Sequence, residues 1–271
     1  MKIEVILTPA ELPALKKRDL RDAICVVFDE LRATSTFVTA LQNGAKAVMP
    51  VSEISEALAV RQKQPDVLLG GERDGVKIRA HLTGGVDFDL GNSPREYTPE
   101  KVRGKTIVST TTNGTRALRA CAGAKTVLAA AFLNLTATAE FLRQLSPVQV
   151  VLVCAGTYEN TALEDVLAAG MLCELLAGSS RYDDRTAQRT VPIFSDSANI
   201  AHQAYMQAKP DLAGTVRKSE NARRLLAIPE LRDDVPFCLQ RDCYPLVVKR
   251  ADDGVTFISV CGQTIDGSSE H

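Results

Sequence analysis

AICVVFDELRATSTFVTALQNGAKAVMPV, residues 23–51, changes its hydrophobic rhythm twice. Residues 23–28 are continuously apolar and rich in β-branched side chains. Residues 34–43 space their apolar positions at helical intervals. After Gly44-Ala45-Lys46 the chain turns apolar again through AKAVMPV. A run that is apolar at every position fits a strand buried on both faces, and strand–helix–strand order builds a parallel sheet covered by helices. The expected class is α/β: a three-layer α/β/α arrangement with mostly parallel sheets.

The same grammar extends outward. Further strands are expected at KIEVIL, VLLGG, KTIVST, KTVLAAA and VQVVLVCAG, and further helices at 53–64, 114–122, 134–145 and 162–177. PLVVKRADDGVTFISV holds two apolar runs around Asp253-Gly254, the signature of a C-terminal β-hairpin. GSSRYDDRTAQRT, 178–190, reads as an exposed connection. An internal echo is also present. Residues 34–58 and 113–139 run in parallel at an offset of 79, aligning Thr36 with Thr115, Gly44 with Gly123 and Lys46 with Lys125. Two similar, intertwined α/β lobes from an internal duplication are therefore expected, in one compact unit over 1–271 with no clean boundary.

Composition narrows the function. The 32 basic and 33 acidic side chains leave a net charge of −1 in 271 residues, which gives no electrostatic case for nucleic acid or an anionic membrane. No apolar run approaches the roughly 20 residues of a membrane span. The opening MKIEVILTPAELP lacks a signal-peptide pattern, so a cytoplasmic setting is expected. Seven cysteines without a CxxC read as buried small hydrophobes in a reducing compartment.

Ligands of parallel α/β sheets bind beyond the carboxyl ends of the strands. Four strand ends deliver acids, arginines and hydroxyls there. FDELRATST brings Asp29, Glu30, Arg32, Thr34, Ser35 and Thr36; GGERD brings Glu72, Arg73 and Asp74. STTTNGTR brings Thr111, Thr112, Asn113, Gly114, Thr115 and Arg116, and CAGTYEN is followed by Glu164 and Asp165. Helix N-termini attract anions, and hydroxyls with a nearby arginine strengthen that pull. Thr34 and Asn113 would serve equally as plain N-caps. Acids beside an anion site need a cation between them; Asp29, Glu72, Glu164 and Asp165 are hard oxygen donors of the kind Mg²⁺ takes. Glu164-Asp165 also suits an ordinary first helical turn. Glu30, Asp74 and Glu159 read as surface charges. In DFDLGNSPREYTP, 87–99, Asn92, Ser93 and Arg95 are candidate lid or substrate contacts. No P-loop, thiol-phosphatase loop or histidine-rich metal pattern occurs, and Asp87-Phe88-Asp89 does not end an apolar strand as an aspartyl nucleophile should.

The segments FDELRATSTFVTALQNGAKAV, LLGGERDGVKI, FDLGNSPREYT, STTTNGTRAL, CAGTYENTALEDVLAAG, KSENARRLL and DDVPFC, in that order, resemble the 2-phosphosulfolactate phosphatase family across most of residues 24–240. The resemblance implies a Mg²⁺-dependent phosphomonoesterase that cleaves 2-phospho-3-sulfolactate to sulfolactate and phosphate, as in coenzyme M synthesis. The expected partner is a small anionic phosphoester, with a homodimer as the one macromolecular assembly considered. Asp29 would hold the metal or attack phosphorus. Arg32 and Thr34–Thr36 would hold phosphate oxygens, and the 111–116 loop with Arg73 the other acid group. Two departures stand near the presumed site: Glu30 replaces a valine-like residue, and RAHLTGGV, 79–86, looks inserted. The alternative from another class is a non-catalytic binding protein for a phosphorylated or sulfonated metabolite, which needs the anion loops but no metal.

Overall fold

The computed structural model describes residues 1–178, 181–183 and 188–260. Thirteen strands are described: β1 (Lys2–Ile6), β2 (Ala23–Phe28), β3 (Ala47–Pro50), β4 (Leu68–Arg73), β5 (Val76–Lys77), β6 (Thr106–Thr110), β7 (Thr126–Ala130), β8 (Gln149–Cys154), β9 (Arg181–Asp183), β10 (Gln188–Thr190), β11 (Ile193–Phe194), β12 (Val247–Arg250) and β13 (Phe257–Val260). Eleven form one sheet in the order β11-β1-β8-β2-β7-β12-β13-β3-β6-β4-β5.

The apolar run at 23–28 behaves as its composition demands. It pairs in parallel with β7 on one side and β8 on the other, and all six residues are buried. Ile24, Val26 and Phe28 enter one core with Leu128, Leu152 and residues of the Leu135–Leu145, Leu163–Ala177 and Asp196–Ala208 helices. Cys25 and Val27 enter a second core with Val127, Val153 and the Ala33–Gln42 and Gly114–Ala120 helices. Helices thus cover both faces. A third, smaller core lies under β4 and β6, where Leu69 and Val108 meet Ala57 of the Ile54–Lys63 helix.

One mixed sheet replaces the several parallel sheets expected. β11, β1, β8, β2 and β7 form one parallel block; β3, β6 and β4 form another. The expected hairpin is present and lies between them. β12 pairs antiparallel with β7, β13 antiparallel with β3, and the two with each other. Gly254 turns the hairpin at φ 74°. The Ala33–Gln42 helix packs over the seam, with Phe37 against Phe257 at a centroid distance of 6.3 Å.

The connection expected at 178–190 contains β9 and β10, an antiparallel pair; residues 179–180 and 184–187 lie outside the described residues. The 79–86 insertion holds the short Ala80–Thr83 helix, tied down where Asp87 Oδ1 accepts the Ala80 N–H at 2.7 Å. Its residues are not among those that line the cleft described below. No helix of the described residues is long and apolar enough to cross a membrane.

Candidate active site

A cleft opens at the carboxyl ends of β2, β4, β6 and β8. Asp29, Leu31 and Arg32 line it from β2, Glu72, Asp74 and Gly75 from β4, Thr112 and Asn113 from β6, and Thr157 and Tyr158 from β8. Asn92 and, from the Glu220–Leu226 helix, Arg224 complete the wall. Six strand steps separate β2 from β4. At about 4.8 Å per step a flat sheet would hold them about 29 Å apart, so sheet twist curls the two parallel blocks toward one another. Asp74 and Tyr158, at φ 54° and 56°, are non-glycine residues held in left-handed backbone at its rim, a conformation that concentrates at functional sites.

The carboxylates come first, because they occupy the places expected for anions. Asp29 Oδ1 accepts the Ala33 N–H at 3.1 Å, so the carboxylate itself caps the Ala33–Gln42 helix. Glu72 Oε1 accepts the Thr112 N–H at 2.9 Å and Oε2 the Gly75 N–H at 2.7 Å. Both residues are only 8% exposed. Among the described residues nothing donates to Asp29 Oδ2; it rests on Gly114, where a Cβ would lie 2.7 Å from it and 2.8 Å from Ala33 Cβ. Burial pushes Asp29 up to about 6, with the Ala33 N–H pulling down and the Glu72 and Glu164 charges pushing up.

Glu164 and Asp165, expected beside them as metal ligands, do not line this cleft. Asp165 accepts the Glu30 and Gly156 N–H groups, each at 2.9 Å, and so ties the β2 and β8 loops together. Glu164 Oε1 accepts from Asn221 Nδ2 at 3.1 Å. Among the described residues no three His, Cys, Asp or Glu side chains gather as a metal centre. Glu30, expected as a surface charge, is wholly buried, and its Oε1 accepts the Phe132 N–H. Burial first, then the Asp165 charge, holds its carboxyl well above the usual range. Asp74 and Glu159 are exposed, as expected.

Most of the expected anion donors point elsewhere. Thr34, Ser35 and Thr36 are buried: Thr34 Oγ1 accepts the Asp29 N–H, while Ser35 and Thr36 donate to the Glu30 and Asn92 carbonyls. Thr115 N donates to Thr111 Oγ1. Arg73 donates to Glu72 O, Ser52 O and Thr110 Oγ1. Arg116 grips Glu159 at 2.5 Å on the outside. Arg116→Ala is therefore expected to change neither the denaturation midpoint nor catalysis measurably, because exposed ion pairs contribute little. Asn113 Oδ1 accepts the Tyr158 N–H, joining the β6 and β8 loops. Arg32 lines the cleft, but Nη1 binds Asp234 Oδ2 at 2.6 Å and Nη2 the Gly75 carbonyl at 2.5 Å. Ser93 Oγ donates to the same Asp234 at 2.6 Å.

Sequence reasoning assigned no role to Asn221, Arg224 or Asp234. Asn221 Nδ2 holds both the Leu31 carbonyl and Glu164, and its Oδ1 accepts from Arg224 Nη2 at 2.8 Å. All three lie in KSENARRLL and DDVPFC, the segments in which the resemblance was already visible.

The residues that converge here run from Asp29 to Leu225 along the chain. The family pattern described as 2-phosphosulpholactate phosphatase matches residues 7–253. A protein of Caldanaerobacter subterraneus subsp. tengcongensis is 38% identical over 238 residues, covering 87% of this chain and 91% of its own length. One from Clostridium acetobutylicum is 35% identical, with 91% and 96% covered, and one from Thermotoga maritima 40% identical, with 82% and 86% covered. Each of the three is described as "Probable 2-phosphosulfolactate phosphatase". With matches of that length running through the β2, β4, β6 and β8 loops alike, the chain belongs to the 2-phosphosulpholactate phosphatase family.

Proposed function

We propose that this protein is a Mg²⁺-dependent phosphatase for the phosphomonoester of a small sulfonated or carboxylated hydroxy acid, with 2-phospho-3-sulfolactate as the first substrate to test. The observation that carries this reading is the Asp29–Glu72 pair: two buried carboxylates lining one cleft, one of them with an oxygen that no protein donor reaches. Mg²⁺ usually takes one or two carboxylates and fills its shell with water and substrate oxygens, so this pair fits it without Glu164 or Asp165. Bound there, the ion would supply neutralisation of phosphate charge. The chain's own groups do the positioning. The Thr112 and Gly75 amides fix Glu72, and the Ala33 amide fixes Asp29. Arg32 fastens Gly75 to Asp234 across the cleft wall. Phosphoryl transfer asks chiefly for such placement and charge compensation.

The test is release of phosphate from a panel of phosphorylated hydroxy acids. Turnover is expected with Mg²⁺, lost on chelation and restored by adding the ion back. No release from any of them, with the ligands still binding, would turn the reading to a binding protein. Gly114→Ala is expected to lower kcat at least about 10²-fold, since its methyl would displace the Asp29 carboxylate from its seat. Circular dichroism should show the fold retained.

The setting we infer is a reducing cytoplasm: the described cysteines are unpaired, and five of the six are buried. We further infer an internal duplication. The 79-residue offset carries residues 47–50 of β3 onto 126–129 of β7, and each copy starts in one parallel block and ends in the other.

A further inference from the structure

We propose that Arg224 and Asn92 form a second oxyanion subsite in the cleft, which holds the substrate's acid group that is not transferred, a sulfonate or a carboxylate. The proposal rests on the phosphatase reading and names the residues that would select its substrate.

The charges of the cleft lead to it. The lining contains the carboxylates of Asp29, Glu72 and Asp74 and the guanidinium groups of Arg32 and Arg224. Arg32 is 3% exposed and already neutralised by Asp234. Arg224 differs. Among the described residues it makes one hydrogen bond, from Nη2 to the neutral Asn221 amide, and no ion pair. A half-buried guanidinium without a counter-charge is a standing receptor for an oxyanion, which its planar fork can grip through two oxygens.

Asn92 is the independent observation. The residue is 5% exposed and lines the same cleft, and its side chain makes no hydrogen bond to protein among the described residues; its Oδ1 is buried without a partner. The backbone carbonyl of Asn92 is held by Thr36 Oγ1 at 2.9 Å, and the adjacent Ser93 is held by Asp234, so the backbone here is anchored while the side-chain amide goes unused. Buried amides are normally satisfied, and one that is not points to a missing partner. Its Nδ2, which is not among the fully buried atoms and also has no protein partner among the described residues, is the donor the amide offers an oxyanion.

Gly75 sets the geometry. Its carbonyl takes Arg32 Nη2, and a Cβ built on it would lie 3.9 Å from the Arg224 guanidinium. The residue therefore sits between a neutralised arginine and a free one. Asp29 and Glu72 serve the phosphate end through a cation, while Arg224 and Asn92 offer a cationic fork and an amide to the acid end.

The experiment compares kcat/KM with Mg²⁺ for three phosphomonoesters: 2-phospho-3-sulfolactate, 2-phospholactate and p-nitrophenyl phosphate. Wild type, Arg224→Gln, Arg224→Lys and Asn92→Ala are assayed, each checked for fold by circular dichroism. The preference for an acid-bearing substrate over p-nitrophenyl phosphate is expected to fall about 10²-fold in Arg224→Gln, mostly through KM. Arg224→Lys should recover part of it, and Asn92→Ala should lower the preference in the same direction. A fall confined to the sulfonated substrate assigns the subsite to the sulfonate; an equal fall on both acids assigns it to the carboxylate. A preference ratio unchanged in both Arg224→Gln and Asn92→Ala overturns the subsite. No release by wild type from any of the three overturns the phosphatase reading instead.

Discussion

Asp29→Asn is expected to cut phosphate release at least about 10³-fold while leaving the protein folded. The substitution keeps the shape, and its side-chain oxygen can still accept the Ala33 N–H, so the helix cap survives. What disappears is the negative charge beside Glu72. Stability should shift the other way. Burial raises Asp29 to about 6 in the folded protein, against an ordinary value of 3.8. Between those pH values the folded state holds a proton that the unfolded chain releases, so metal-free stability falls as pH rises through the window. The Asn variant lacks that titration and should be at least as stable as wild type at pH 7 in chelator. Mg²⁺ should then raise the Tm of wild type and not that of the variant, by mass action on a site only one of them retains. A variant with full turnover, or one with the same Mg²⁺-dependent rise in Tm, would remove Asp29 from the centre. The stereochemical course at phosphorus assigns its role: inversion marks direct attack by water, retention an aspartyl phosphate.

Arg32→Ala should be the most damaging single truncation for stability. Arg32 and Asp234 are both buried, with side chains 2% and 0% exposed. Removing the arginine strands the Asp234 charge with only Ser93 Oγ and a distant Arg95, at 3.7 Å, for company. Breaking such a pair costs about 3–5 kcal/mol. Urea denaturation should show that loss. The companion double variant, Arg32→Ala with Asp234→Ala, should recover a large part of it, because the stranded charge goes too. Equal destabilisation in single and double variants would show that the cost lies in lost packing rather than in an unpaired carboxylate.

The strands and long helices were legible because burial on both faces forces apolar runs that nothing else explains. The 114–122 helix expected from the sequence is Gly114–Ala120, and the 162–177 helix is Leu163–Ala177. Asp253-Gly254 announced its hairpin through local chemistry: Asp253 Oδ1 accepts the Val255 and Thr256 N–H groups. The helices between 196 and 238 were missed because they are short or rich in polar residues, although Ser195, Asp211 and Ser219 cap three of them in the usual way. At the site, the parallel-sheet rule found the strand ends. It could not tell which way their side chains turn. Thr36 faces inward because its partner is the Asn92 carbonyl, 56 residues away, and Arg32 is held by a carboxylate 202 residues away. Composition shows a loop rich in hydroxyls; only the distant partner decides whether they serve a ligand or the backbone.

The seam hairpin bears on how the molecule comes into being. A ribosome delivers both parallel blocks before it delivers β12 and β13, so the inner edges of β7 and β3 wait unpaired through the late stages of synthesis. Open edges of that kind invite pairing with other chains. The wait also governs the cleft. Asp29 belongs to one block and Glu72 to the other, so the hairpin that completes the sheet stands between the strands that carry the pair. A nascent chain with that seam still open would hold Asp29 and Glu72 on two blocks not yet joined in one sheet.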